Sequence, residues 1–153
     1  FTYDDIFGTV LNRFIVQGVA GIPLTVYGSG SQIRGYINVV DTIKCIKLTL
    51  KNKPKDGELA IYNQFTEQFS VKQLAQLVKK SLKLINIKAT ISKIPNPRIE
   101  KEKHYYNAKN SNIEKIGLKP LKLSPDVIID IANYVSKHKK NIDKKIIQPK
   151  VVW

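Results

Sequence analysis

Amphipathic helical stripes alternate along this chain with apolar runs too short to be helices, and that alternation limits the fold more than any single motif does. From Asp4 to about Gln17, the apolar residues Ile6, Phe7, Val10, Leu11, Phe14 and Ile15 fall on one face at helical spacing. Asp4 and Asp5 suit the positive end of that helix. Gly18 and Gly21-Ile-Pro23 are expected to stop it, and Leu24-Thr-Val-Tyr27 then has the β-branched and aromatic content of a strand. Tyr36 to Val40 reads as a second extended run, with Asp41 placed to cap a helix carrying Ile43, Cys45, Ile46 and Leu50. After the turn-rich stretch from Lys51 to Gly57, Glu58 to Tyr62 reads as a strand. Ser70-Val-Lys-Gln73 is a capping box opening a helix striped by Leu74, Leu77, Val78 and Leu82. Ser111 to Glu114 repeats the device in a short helix ended by Gly117. Ser124-Pro125 starts a last helix with Val127, Ile128, Ile131 and Val135 on one face, and Lys137 to Lys145 form its basic end. Helix, loop and strand in this order are the rhythm of parallel-sheet units, so the fold class is α/β.

A chain of 153 residues, 42% apolar, can build one core. Its 26 Lys and Arg against 12 Asp and Glu give a net charge of +14, a field that attracts phosphate-bearing partners without choosing among nucleic acid, nucleotide and anionic surface. A basic nucleic-acid-binding module is therefore the rival class. The lysines scatter between apolar stripes instead of clustering with exposed aromatics, which weakens it. Cys45 has no partner in the chain for a disulfide; a core position and a reducing compartment are expected. No run of about twenty apolar residues predicts a membrane span, and Phe1 to Val10 lacks the pattern of a signal peptide.

Several motifs fail on spacing. Gly28, Gly30 and Gly35 do not satisfy Gly-x-Gly-x-x-Gly, and no Gly-Lys-Ser/Thr follows as in a P-loop, so Gly28-Ser-Gly30 alone reads as a turn. Tyr105 and Lys109 have a Tyr-x-x-x-Lys spacing but lie in a polar stretch with no helical stripe, where a lysine cannot be held one turn from a tyrosine. His104 and His138 are the only histidines and form no ligand pattern, so no metal site is expected. Arginine is the scarcer cation here. Its planar fork grips phosphate oxygens in two places at once, which directs attention to Arg34 after the glycine turn and to Arg98 in the stiff Pro95-Asn-Pro-Arg98. An ordinary surface ion pair is the competing role for each.

Pro23-Leu-Thr-Val-Tyr-Gly28, Gly30-Ser-Gln-Ile-Arg34 and Tyr36-Ile-Asn-Val-Val-Asp41 together resemble the entry to the nucleotide-sugar site in extended short-chain dehydrogenases, the NAD-dependent epimerase/dehydratase family. Most of that family carries aspartate after the arginine, where this chain has Gly35. Tyr62 to Ser70, Pro95 to Glu100, Glu102, His104 to Lys109 and the ending Gln148 to Trp153 extend the similarity along residues 1–153. The resemblance implies the C-terminal, nucleotide-sugar-binding part of such an enzyme: an incomplete Rossmann-like α/β fold with the substrate-binding subdomain, Tyr62 and its preceding strand belonging to the sheet. The NAD-binding half and the catalytic Thr, Tyr and Lys would lie in a first half outside this chain, which alone would neither bind NAD well nor turn over substrate. Within the family the passages are most similar to those of a member acting on UDP-glucose and sulfite, through oxidation at the sugar's C4, elimination, sulfite addition and re-reduction by tightly bound NAD. Another NAD-dependent epimerase or dehydratase is the nearest alternative. Carried across, Leu24, Thr25, Val26 and Tyr27 would meet the uridine, Gln32 would line the site, Arg34 and Arg98 would clamp the diphosphate, and Glu102 would meet a ribose or sugar hydroxyl. The resemblance further implies a homodimer in the cytoplasm, or in the plastid stroma of a photosynthetic eukaryote, with no nucleic acid partner.

Overall fold

The computed structural model describes residue 3, residues 8–95, residue 106 and residues 108–147. In chain order the elements are α1 (Val10–Ala20), β1 (Leu24–Tyr27), β2 (Ile33–Tyr36), α2 (Val39–Lys51), β3 (Glu67–Ser70), α3 (Val71–Leu84), β4 (Ile91–Ile94), α4 (Ser111–Lys115), α5 (Pro125–Lys137), a 3-10 turn at Lys139–Asn141 and α6 (Lys144–Ile147). They form two compact units: Phe1–Gln32, Ser70–His104 and Ser124–Trp153 make the larger, and Ile33–Phe69 with Tyr105–Leu123 the smaller.

In the larger unit β1 and β4 pair in parallel, from Leu24 opposite Ile91 to Tyr27 opposite Ile94. Parallel pairing requires a crossover, and α3 lies on it. The helices α1, α3 and α5 pack on one another, burying Phe14, Ile15, Leu24, Leu74, Val78, Leu82, Ile128 and Ala132. The first helix starts at Val10, not Asp4: Gly8 and Thr9 are non-helical, and the Thr9 hydroxyl caps the Asn12 amide, while residues 4–7 lie outside the described set. Nor does Gly18 stop it. Leu82 packs where a Gly18 side chain would stand, so this glycine permits helix contact within the element, and the stop falls at Gly21 with φ +77°. The capping box at Ser70 and Gln73 and the Ser124-Pro125 start are present as the sequence implies. The basic stretch after Lys137 does not prolong α5; it breaks into the 3-10 turn and α6, whose Ile147 is buried.

In the smaller unit β2 pairs with β3. The strand is Ile33–Tyr36 and meets the expected Tyr36 to Val40 run only at Tyr36, since Asn38 caps a helix that already contains Val39 and Val40; Arg34 and Gly35 are strand residues. Asn38, not Asp41, caps α2: its side-chain oxygen accepts the Val40 amide at 2.9 Å. Asp41 is fully buried inside the first turn, accepting the Leu121 amide and the Lys44 ammonium at 2.8 Å. Cys45 sits in the core as expected, with Ile113 and Leu118. Ser111 is the first residue of α4 rather than its cap. Asn110 holds the cap position, and its side-chain amide donates to the Phe65 carbonyl and to Glu114. Glu58 to Tyr62 forms no strand: it finds no ladder among the described residues, and only Tyr62 reaches the core.

Candidate functional site

Strand β1 alternates buried and half-buried residues, so the four positions assigned to uridine divide into two pairs. Leu24 and Val26 point into the core at 0% and 1% exposure, leaving only their main chain to meet a ligand. Thr25 and Tyr27 lie on the other face. Thr25 is held by a residue the sequence reading did not single out. Gln17, fully buried in α1, accepts the Thr25 amide at 3.1 Å, donates to the Thr25 hydroxyl at 2.8 Å and donates to the Ile147 carbonyl at 3.4 Å. A glutamine amid the Phe14–Ala20 apolar run was the available signal, since a buried amide needs partners. The Arg13 guanidinium lies over the Tyr27 ring, 5.6 Å from its centroid.

The glycine turn after β1 directs its carbonyls to the start of α3 and turns the Gly28 and Gly30 amides back onto the Ile94 and Tyr27 carbonyls. Gly28 and Gly30 adopt φ +55° and +67°, and the Gly30 amide donates back to the Tyr27 carbonyl at 3.1 Å. The Gly30 carbonyl then accepts the Lys72 amide at 2.9 Å, and the Gln32 carbonyl accepts the Val71 amide at 3.2 Å. With the Ser70 hydroxyl taking the Gln73 amide at 3.2 Å, the first three donors of α3 are satisfied from within the chain. The loop is a helix cap, and that helix end offers no free cradle of amides to a phosphate. The Oε1 atom of Gln32 is buried without a hydrogen-bond partner among the described residues.

Arg34 belongs to the smaller unit, exposed on β2. It donates to the Ile33 carbonyl at 2.8 Å and makes no ion pair among the described residues, where the Lys44 to Asp41 contact is the one salt bridge. Its charge is felt by Tyr36, whose phenol burial pushes toward a higher pKa while Arg34 pulls it back. Gly35 is packed: a side chain there would stand 3.0 Å from Cβ and Cγ of Phe65 and collide with the Tyr106 hydroxyl. Phe65 and Tyr106 themselves meet edge to face at 6.3 Å. This aromatic pair occupies the room that an aspartate after the arginine would need.

Arg98 and Glu102 lie outside the described residues, as do Tyr105 and His104. Lys109 stands in irregular chain before α4, its carbonyl accepting from Asn63, so the Tyr-x-x-x-Lys spacing is not carried on a helix at its lysine end. Among the described residues no three His, Cys, Asp or Glu side chains gather as a metal site, and no helix is long and apolar enough to cross a membrane.

The arrangement is that of part of a Rossmann-type α/β fold. The UDP-glucuronic acid 4-epimerase of Bacillus cereus, solved in complex with UDP-glucuronic acid and NAD, matches 85% of this chain and 40% of its own with a TM-score of 0.63 at 20% identity. Sequence relatives are more particular. The chain is 46% identical over 153 residues, all of its length and 32% of the relative's, to the chloroplastic UDP-sulfoquinovose synthase of Spinacia oleracea. It is 39% identical over 155 residues to the UDP-sulfoquinovose synthase of Sulfolobus acidocaldarius, again along all of its length and 39% of the relative's. No family model matches. The chain is thus homologous along its whole length to UDP-sulfoquinovose synthases, and it spans about a third of the length of the curated relatives it matches.

Proposed function

We propose that this chain is the UDP-sugar-binding, C-terminal portion of a UDP-sulfoquinovose synthase, an enzyme joining UDP-glucose and sulfite into UDP-sulfoquinovose. The observation that carries the reading is Arg34: an exposed guanidinium with no carboxylate partner among the described residues, bonded only to a neighbouring carbonyl. Most of its five donors stay available, in the geometry that matches two oxygens of a diphosphate. The chain's far more numerous lysines do not replace it, because a point charge cannot fork. Strand β1 supports the same role. Gln17 fixes its Thr25 edge, so main-chain groups of Leu24 to Tyr27 can meet a uracil ring without rearrangement, and the Gln32 Oε1, which has no hydrogen-bond partner among the described residues, suits a hydroxyl or ring N–H. Arg98 is proposed as the second clamp and Glu102 as a hydroxyl acceptor.

NAD would supply hydride exchange with the sugar. The glycine turn does not suit its pyrophosphate, since it directs carbonyls to α3. We assign NAD to the part of the relatives' length that this chain does not span, and derive no step through it. Sulfite handling and a homodimer in the cytoplasm or plastid stroma belong to the same proposal for the complete enzyme.

In the complete enzyme, Arg34→Lys keeps the charge and loses the fork, so affinity for UDP-glucose should fall by about tenfold or more with folding unchanged. An unchanged Kd in a titration at fixed salt removes the clamp. Tight binding of double-stranded DNA at physiological salt, with no competition by UDP, would replace the reading with the nucleic-acid module.

A further inference from the structure

Four polar or charged side chains are buried among the described residues, and two of them lie one turn apart on α1: Arg13 at 8% exposure and Gln17 at 0%. The other two have duties elsewhere, Ser81 bonding the Leu77 carbonyl of its own helix and Asp41 the Leu121 amide. Arg13 and Gln17 both reach β1. Four residues along a helix rise about 6 Å and two along a strand about 6.6 Å, so Arg13 over Tyr27 and Gln17 beside Thr25 are rungs in matching register, the strand running back along the helix after the Gly21 turn. Packing alone needs neither group. Phe14, Ile15 and Val19 already give α1 an apolar face, and a buried amide or guanidinium is costly to desolvate.

The Gln17 contacts also fix a polarity. The Thr25 amide can only donate, so the atom it meets is the carbonyl oxygen Oε1, and the other atom of the side-chain amide is the NH2 nitrogen. That nitrogen donates to the Ile147 carbonyl and to Thr25 Oγ1, which uses both of its hydrogens. The Thr25 hydroxyl is therefore an acceptor toward α1, and its own proton is directed elsewhere, with no second partner among the described residues. We infer that Arg13 and Gln17 are positioning residues of the nucleotide strand, and that Gln17 makes the Thr25 hydroxyl a fixed donor to a carbonyl oxygen of the base. The inference rests on the UDP-sugar reading and deepens it. Uracil carries two ring carbonyls, and a hydroxyl whose accepting side is occupied meets a carbonyl well and a ring amino group badly. Arg13 adds the second constraint, holding the Tyr27 ring at the end of β1 by cation–π attraction.

The test titrates the complete enzyme with UDP, and with inorganic pyrophosphate as a probe that reaches a diphosphate clamp but has no base. Thr25→Val removes only the hydroxyl and should weaken UDP about tenfold, while Thr25→Ser should bind it as the native enzyme does. Gln17→Met should weaken UDP about tenfold, and adding Thr25→Val to it should stay well short of the roughly hundredfold loss that independent effects would give. Arg13→Met should weaken UDP about three- to fivefold. Pyrophosphate affinity should be unchanged throughout, which a general loss of structure would not permit. If Gln17→Met folds poorly, the two Thr25 variants carry the test. Three results overturn the inference: UDP affinity indifferent to Thr25→Val, effects of Gln17→Met and Thr25→Val that simply multiply, or pyrophosphate weakening in parallel with UDP. The UDP-sugar reading is judged apart, on the native enzyme. Native enzyme that binds UDP no better than these variants do sinks the inference alone, whereas native enzyme that binds no UDP sinks the reading with it.

Discussion

Replacing Gly30 with alanine separates a helix cap from a phosphate cradle. At φ +67° an alanine pays roughly 1–2 kcal/mol for the left-handed backbone. Its Cβ would also stand 2.6 Å from Cγ1 of Val26 and 3.2 Å from the Lys72 amide nitrogen, the donor that the Gly30 carbonyl accepts. Val26 is buried and cannot swing away, so overpacking adds roughly 1–3 kcal/mol. The expected loss is about 2–5 kcal/mol, a large part of a small domain's stability. Gly21 supplies the control. It has φ +77° and nothing within 4 Å of a built Cβ, so Gly21→Ala should show the backbone cost alone. Urea unfolding followed by far-ultraviolet circular dichroism, with no nucleotide present, measures both. Val26→Ala in the Gly30→Ala background should lose less than the sum of the two changes, because the clashing methyl is gone. If Gly30→Ala proves as mild as Gly21→Ala, or if its cost shows only in ligand affinity, the cap account of this loop is wrong.

Three further outcomes follow from the smaller unit. Asp41→Ala strands the Leu121 amide and should cost about 2–3 kcal/mol in urea unfolding, while Lys44→Ala, which removes only the partly exposed partner, should cost under about 1 kcal/mol. Gly35→Asp, which restores the residue most of the family carries, should destabilise the Phe65 and Tyr106 pairing, seen as faster amide exchange at residues 33–36; unchanged exchange would show that the aromatic pair can give way. Burial first, and the Asp41 carboxylate second, push the Cys45 thiol above its ordinary pKa. The folded state therefore holds that proton more tightly than the unfolded chain: the contribution is complete below about pH 8.5 and is lost as pH rises through the raised folded value. Urea midpoints from pH 7 to 10.5 should fall more steeply in the native protein than in Cys45→Ala, where parallel curves would count against a buried thiol.

Helix starts were legible where a side chain and its target amide are neighbours in sequence, as at Ser70 with Gln73 and Ser124 with Val127. They were misread where tertiary structure claimed the side chain. Asp41 looks like a cap for α2, yet its carboxylate is spent on Leu121, eighty positions away, and Asn38 takes the cap. No local rule contains that contact. Strands β3 and β4 passed unnoticed for a related reason: four residues each, half-buried, they are strands because of what pairs with them. Glu58 to Tyr62 is the converse, a strand by pattern that lacks a neighbour.

The candidate site shows the same division. Arginine against lysine was a signal of chemistry that the sequence displays openly, and Arg34 does stand exposed and without an ion pair among the described residues. The glycines before it carried a signal of backbone geometry, which is ambiguous until the direction of the peptide groups is known. Positive φ values at Gly28 and Gly30 could turn amides outward toward an anion or turn carbonyls inward toward a helix start. The capping box that follows decides between them. Its serine takes the third amide of α3, leaving the first two to the nearest carbonyls, those of Gly30 and Gln32. A loop committed in this way is rigid, and rigidity is what a short strand leading into it needs if its main chain is to present a fixed edge to a nucleotide.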